Sequence, residues 1–130
     1  PAVEQLESEG ISVEVVDPRT LRPLDLEIIL NSVRKTNRMV LVEEAWPQAS
    51  VGAWIGEQVY AKAFDHLDAP VTVVGSRNAI TPAAELEKEF FPQPDWLIDA
   101  IHERILPLKG HVPTTNQTNA ELARRSRLGL

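Results

Sequence analysis

Arg38-Met39-Val40-Leu41-Val42-Glu43-Glu44 is the stretch that decides the fold. Four apolar residues run without interruption between charged neighbours. A strand with one wet face would alternate apolar and polar residues. This run asks for apolar cover on both faces, the condition of a strand inside a parallel sheet packed between helices. The flanking segments can supply that cover. Upstream, Leu26 to Thr36 reads as a helix, with Asp25 placed to cap it and Glu27 in its first turn. Arg34 and Lys35 stand in the last turn, where cations favour the helix dipole, and Leu26, Ile29, Leu30 and Val33 form the apolar stripe. Downstream, Ser50 to His66 reads as a longer helix whose apolar face includes Val51, Trp54, Ile55 and Val59.

Further out the pattern recurs. Ile11 to Val16, ISVEVV, is rich in β-branched residues and reads as a strand, and Val71 to Val74 reads as another that stops at Gly75. Pro1 to Glu9 has the character of the last turns of a helix stopped at Gly10. A short helix is expected from Pro82 to Phe90. A longer one runs from Asp95 to about Leu106, with Trp96, Ile98, Ile101 and Ile105 apolar. Strand and helix thus alternate three times with short connections. That order predicts an α/β fold, a three-layer α/β/α sandwich around a mostly parallel sheet joined by right-handed crossovers. Three strands make a small sheet, and the chain opens on Pro1-Ala2-Val3-Glu4 without an initiator Met. Together these lead us to expect a fragment that lacks the first strands of its sheet. The expected division is an α/β domain over 1–106 and a polar linker with a short C-terminal helix over 107–130. Pro107 to Thr115 would be an extended arm and Asn119 to Leu128 the helix.

Bulk composition narrows the functional classes. The chain has 130 residues, 43% hydrophobic and 25% charged, as expected of a globular domain with a real core. Its net charge of −6 leaves no broad basic surface for a phosphate backbone, so nucleic acid is not an expected partner. There are no cysteines, which excludes disulfides, thiolate nucleophiles and Cys-ligated zinc. No apolar run approaches the roughly 20 residues that span a bilayer, and no secretory signal opens the chain. A membrane is therefore not expected as a partner, and the cytoplasm is the expected compartment.

Candidate chemistry is sparse. In parallel α/β sheets, ligands bind beyond the carboxyl ends of the strands. The loops there carry Asp17, Arg19, Arg22, Glu43, Glu44, Gln48, Arg77 and Asn78. These could form a polar pocket with paired carboxylates; the favoured reading is that Arg19 or Arg22 pairs with Glu43 or Glu44 and holds the loops. Neither phosphate-binding glycine motif is present. Gly52 and Gly56 form G-x-x-x-G on the long helix, beside Ala49 and Ala53, a small-residue face that lets another backbone approach. The contact lies either within the domain or across a subunit boundary. Trp46, next to Pro47 in a loop, is either an exposed contact residue or a cap on its own core. His66, His102 and His111 stand in no metal-binding spacing, with His111 in the loose tail, and Ser50, Ser76 and Ser126 lack a nucleophile elbow. Arg124, Arg125 and Arg127 make a basic cluster near the end of an acidic chain: a solvated helix, or a docking patch for an acidic partner.

Three stretches then resemble a known family: GISVEVVDPRTLRPLD at 10–25, KTNRMVLVEEAWPQASVGAWI at 35–55, and AFDHLDAPVTVVG at 63–75. They are similar to the transketolase-type C-terminal domain of the E1 β subunits of thiamine-diphosphate 2-oxo acid dehydrogenases, over about residues 1–106. The more specific motifs are V-D-x-R-T-x-R-P-x-D, here Val16 to Asp25, and V-E-E-x-W-P-Q-x-x-V-G-A, here Val42 to Ala53. The second favours the pyruvate type over the branched-chain type. The resemblance implies a parent enzyme that decarboxylates a 2-oxo acid on thiamine diphosphate with Mg²⁺ and passes the acyl group to a lipoyl group of E2. It implies that this domain binds neither cofactor, carries no catalytic or metal-ligating residue, and is inactive alone. Its role would be to hold together an E1 α subunit and a second E1 β subunit, and to help dock the E2 acyltransferase. The family domain also begins with strands this chain lacks, one of them inside the sheet. On this reading Trp46, Gly52, Trp54 and Gly56 are expected at a subunit interface; separately, from charge alone, Arg124, Arg125 and Arg127 are expected at a partner-docking site, and the resemblance assigns E2 docking to no residue of the tail. Trp54 departs from the family's usual Glu in G-A-E-I, and Ser76 to Ala83 departs from its V-P-x-P-Y-A loop. The rival readings are the matching domain of a transketolase or a deoxyxylulose-phosphate synthase, or a free-standing module binding a small anion through Arg19, Arg22 and Arg77.

Overall fold

The computed structural model describes residues 1–114. Helix α1 spans Ala2–Ser8 and is stopped at Gly10, whose φ of +82° suits a residue without Cβ. The Gly10 and Ile11 amides bond back to the Glu7 and Leu6 carbonyls at 3.0 and 2.9 Å. Helix α2 spans Leu26–Thr36. Asp25 caps it by accepting from the Ile28 amide at 3.2 Å, and Asn37 ends it in the left-handed region at φ 61°. Its stripe buries Ile29, Leu30 and Val33. Strand β1 is Val40–Val42. Helix α3, Val51–Ala63, begins at the cap Ser50 and runs on into a 3₁₀ turn over Phe64–His66. Strand β2 is Thr72–Val74. After a 3₁₀ turn at Ala84–Leu86 come a single helical turn, α4 (Glu87–Phe90), and helix α5 (Pro94–Arg104).

β1 and β2 pair in parallel, Val40 opposite Thr72, Leu41 opposite Val73 and Val42 opposite Val74. The pleat sends alternate side chains to opposite helical layers. On one face Leu41 and Val71 pack with Ile29, Leu30, Val33, Ile55 and Val59 of α2 and α3. On the other, Val40 and Val74 pack with Trp96 and Ala100 of α5, and α5 in turn buries Ile98 against Leu6 of α1. The expected three layers are present.

One expected strand is not. Ile11 to Val16 forms no ladder, and residues 12–16 make no backbone–backbone hydrogen bond with a described residue. Its side chains nevertheless alternate as a strand's would: Ile11 and Val13 pack toward α1 and α5, Val16 toward α2 and α3. Strand propensity is satisfied only when a partner lies within hydrogen-bonding reach, and a cleft separates this segment from β1.

The start of the expected arm is also pinned rather than loose. Leu108 is buried, its amide donates to His102 Nδ1 at 2.9 Å, and His111 Nε2 lies 2.7 Å from Asp99 Oδ1. The Thr114 amide donates to Asp99 Oδ2 at 3.1 Å. Asp99, 1% exposed on α5, thereby holds His111 and Thr114 while His102 holds Leu108, so residues 108–114 are fixed to the domain. A buried carboxylate demands such partners.

Candidate functional site

The loop after β1 is built around Glu43. Its carboxylate accepts from the Ser50 hydroxyl and from the Gly52 amide, the latter at 3.0 Å, while Ser50 Oγ accepts from the Ala53 amide at 3.0 Å. Two side chains thus satisfy the free amides at the start of α3, and the negative charge sits where the helix dipole favours it. The glycine beside it leaves room for that carboxylate, which a larger residue would displace from the cap. A Cβ on Gly52 would lie 2.5 Å from Glu43 Oε1. Gly56, one turn on, faces Val71 and Leu41 of the sheet at 3.4 and 3.8 Å from its would-be Cβ. Both glycines are buried against the chain's own body. The small-residue face of α3 therefore brings the helix down onto Glu43 and β1.

The loop itself is clamped on its other side. The Ser76 amide donates to the Ala45 carbonyl at 3.0 Å, and a Cβ on Gly75 would stand 2.3 Å from that same oxygen. This close approach holds the 45–47 turn and projects Trp46, 42% exposed. Trp54 and Val51, on the expected buried face of α3, point outward at 49% and 45% exposure, as does Val42 at the end of β1. The apolar stripe of α3 was drawn too wide: the buried positions are Gly52, Ile55, Gly56, Val59 and Ala63. Trp46 and Trp54 are large exposed apolar side chains, whereas Val42 and Val51 border the cleft beside β1. Nothing in the sequence around Val42 and Val51 marked them as outward-facing.

The other strand-end residues do not converge. Arg19, held at φ 56°, donates to Asp17 through both its amide and its Nε, at 3.1 and 3.0 Å, in an exposed local pair. It does not reach Glu43 or Glu44, the expected partners. Arg77 lies over the Trp96 ring, 4.0 Å from its centroid, so this cation stacks on the core aromatic. Glu44, Gln48 and Asn78 are exposed. Among the described residues no group of His, Cys, Asp or Glu could hold a metal ion, and no helix is long and apolar enough to cross a membrane. Two of the strand-end carboxylates are engaged within the chain, Asp17 by Arg19 and Glu43 in capping α3. His111 belongs to the Asp99 cluster, 5.1 Å ring to ring from His102. The signal for that cluster was an Asp three residues after Trp96 on an otherwise apolar helix face. Arg124, Arg125 and Arg127 lie outside the described residues.

Comparison with known proteins agrees with this architecture. The sequence profile of the family described as "Transketolase, C-terminal domain" matches residues 1–97. Over 101 residues the chain is 46% identical to a pyruvate dehydrogenase E1 component subunit beta of Rhizobium meliloti, covering 77% of this chain and 22% of that protein. It is 43% identical over 100 residues to the mitochondrial E1 subunit beta of Dictyostelium discoideum, covering 76% and 28%. It is 39% identical over 103 residues to an acetoin:2,6-dichlorophenolindophenol oxidoreductase subunit beta of Bacillus subtilis, covering 78% and 30%. The chain thus spans between a fifth and a third of the length of these relatives.

Proposed function

Because the chain belongs to the transketolase C-terminal domain family, we propose that it is the C-terminal assembly domain of the β subunit of a pyruvate dehydrogenase-type E1. The carrying observation is the exposed pair Trp46 and Trp54, set on a span the chain builds around Glu43. It lies within a region 46% identical to an E1 β subunit. Trp46 and Trp54 are the direct contact residues toward an E1 α subunit or a second β subunit. Gly52 and Gly56 act beneath them, by letting α3 settle onto Glu43 and β1. The parent enzyme would oxidatively decarboxylate a 2-oxo acid and acylate the lipoyl group of an E2 acyltransferase, with thiamine diphosphate and Mg²⁺ held elsewhere. The domain is inactive alone. Docking of an acidic partner through Arg124, Arg125 and Arg127 is a separate part of this proposal, and E2 docking is assigned to no residue.

The test is the mass of the intact gene product, with and without its candidate α subunit, by light scattering. An α2β2-sized particle is expected. A complete gene product that stays monomeric near 14.5 kDa and ignores the α subunit would overturn the proposal. Trp54→Ala should leave the midpoint of urea unfolding within about 0.5 kcal/mol of wild type, as for other exposed positions, while shifting the particle toward free subunits at low concentration. The Bacillus relative's name includes acetoin, so pyruvate and acetoin are the two substrates to assay on the assembled enzyme.

A further inference from the structure

Asp99 and His102 stand three residues apart on α5 and so share a helix face. Between them they hold a strap, Leu108 to Thr114, by three hydrogen bonds. The strap begins as a turn. The His111 amide donates to the Leu108 carbonyl at 3.3 Å, and Gly110 takes φ +77°, the sign a type II turn needs at its third position. Leu108, 4% exposed, packs with Leu6 of α1 and Ile98 of α5 and closes the apolar cluster between the two helices.

The two ends of the strap answer a proton differently. At the far end Asp99 accepts from the Thr114 amide at one oxygen and meets His111 Nε2 at the other. An ionised carboxylate accepts at both oxygens, so His111 carries its proton on Nε2. That bond survives when His111 takes a second proton, because Nε2–H donates in both forms. At the near end His102 Nδ1 accepts from the Leu108 amide at 2.9 Å. A ring nitrogen accepts only while it is bare; with a proton there, two donors face each other. The His102 and His111 rings lie 5.1 Å apart, so two charged rings would also repel.

The charged groups nearby do not replace the lost acceptor. Asp95, Glu103 and Arg104 of α5 are exposed, as is Lys109 of the turn. Glu4, Glu7 and Glu9 of α1 are exposed too, and Glu14 of segment 11–16 is taken by Lys35. β2 brings no titratable side chain, and His102 makes no ion pair with a described residue.

We propose that His102 is a proton-operated latch on this strap. A proton on Nδ1 releases the Leu108 end from between α1 and α5, while the His111–Thr114 end stays on Asp99. The strap then opens about Gly110 and uncovers Leu6 and Ile98. The working range is that in which imidazoles exchange protons, between about pH 8 and 5. Neither Trp46 nor Trp54 takes part, so the latch stands or falls independently of the assembly reading.

The test is amide hydrogen exchange in the natural gene product at about pH 7.5 and about pH 5, each rate divided by the intrinsic rate at that pH. It is read at Leu108, at Thr114 and, as a core reference, at Val59. Exchange of the His102 ring Cε1–H follows proton uptake in the same samples. Leu108 protection should fall by about 10-fold or more as His102 charges, with Thr114 and Val59 constant within about 2-fold. His102→Asn puts an amide oxygen where Nδ1 stood, an acceptor that no proton blocks in this range. In H102N, Leu108 protection should change by less than about 2-fold between the two pH values. Leu108 protection that holds while His102 charges would overturn the proposal. So would a fall shared by Thr114 or Val59, which reports loss of the whole strap or of the domain. A fall in H102N as large as in the wild type would overturn it as well.

Discussion

The two edges of β1 differ in almost every respect. Toward β2, the strand is laddered, covered on one face by Leu41 and Val71 against α3 and on the other by Val40 and Val74 against Trp96 and Ala100. Toward segment 11–16, the same three residues border a cleft, although the facing sequence is just as rich in β-branched side chains. Residue type is therefore not what separates them. The β2 edge is closed because the α3 crossover delivers its partner strand within the same 130 residues, on the one topological route that packs a helix back onto the sheet. The other edge has no partner strand among the described residues.

The largest effect expected from breaking the closed edge is at Trp96. It is buried under β2 and carries the Arg77 cation on its ring. Trp96→Ala should lower unfolding free energy by about 3–5 kcal/mol, read by urea denaturation. A loss under 1 kcal/mol would mean the α5 side of the sheet is not as tightly filled as the contacts imply. Next comes Glu43→Ala, which removes an acceptor from Ser50 and Gly52 at the α3 N-terminus. About 0.5–2 kcal/mol is expected, the range of lost helix caps, together with faster amide exchange at Gly52 and Ala53.

On the open edge the effects shrink. Val15 is 70% exposed, so Val15→Ala in the 130-residue chain should change stability by less than about 0.5 kcal/mol. The smallest effect belongs to Glu14. The hydrogen bond and charge of Lys35 hold its carboxyl below the usual glutamate value of 4.5, against a smaller opposing effect of burial. A carboxyl lowered in the folded state contributes stability above its unfolded pKa, and that contribution disappears as pH falls through the folded value. Glu14→Gln should therefore differ from wild type at neutral pH and converge with it below about pH 4.5. Added salt should narrow the difference at neutral pH, because the pair is exposed.

Much of the architecture was legible in sequence because its signals are local. Asp25 and Ser50 stand at the caps, the α2 stripe buries three of the four residues named for it, and β1 and β2 fall inside their expected runs. The α/β class follows from their order. The candidate site was less legible. Trp46 and Trp54 were named, but the outward turn of Val51 and Val42 was not. The glycines' contacts could be posed only as alternatives, since spacing on a helix says which residues share a face and not what that face meets. Asp17, Arg19, Arg77 and Glu43 were grouped by topology, yet each found a nearer partner: Arg19 took Asp17, Arg77 took an aromatic ring and Glu43 took a helix start.

By itself the sequence determined where helices and strands lie, that the sheet is parallel and doubly covered, and that no cysteine chemistry is available. Those properties depend on period, capping residues and composition, all of which act within a few residues along the chain. Only the tertiary structure decided that Ile11–Val16 stands unpaired, that the 108–114 segment is held by Asp99 and His102, and that half of the expected α3 stripe faces outward. These outcomes depend on which backbone and side chains come within hydrogen-bonding or contact distance after folding. That is a property of neighbours distant in sequence, and no local pattern encodes it.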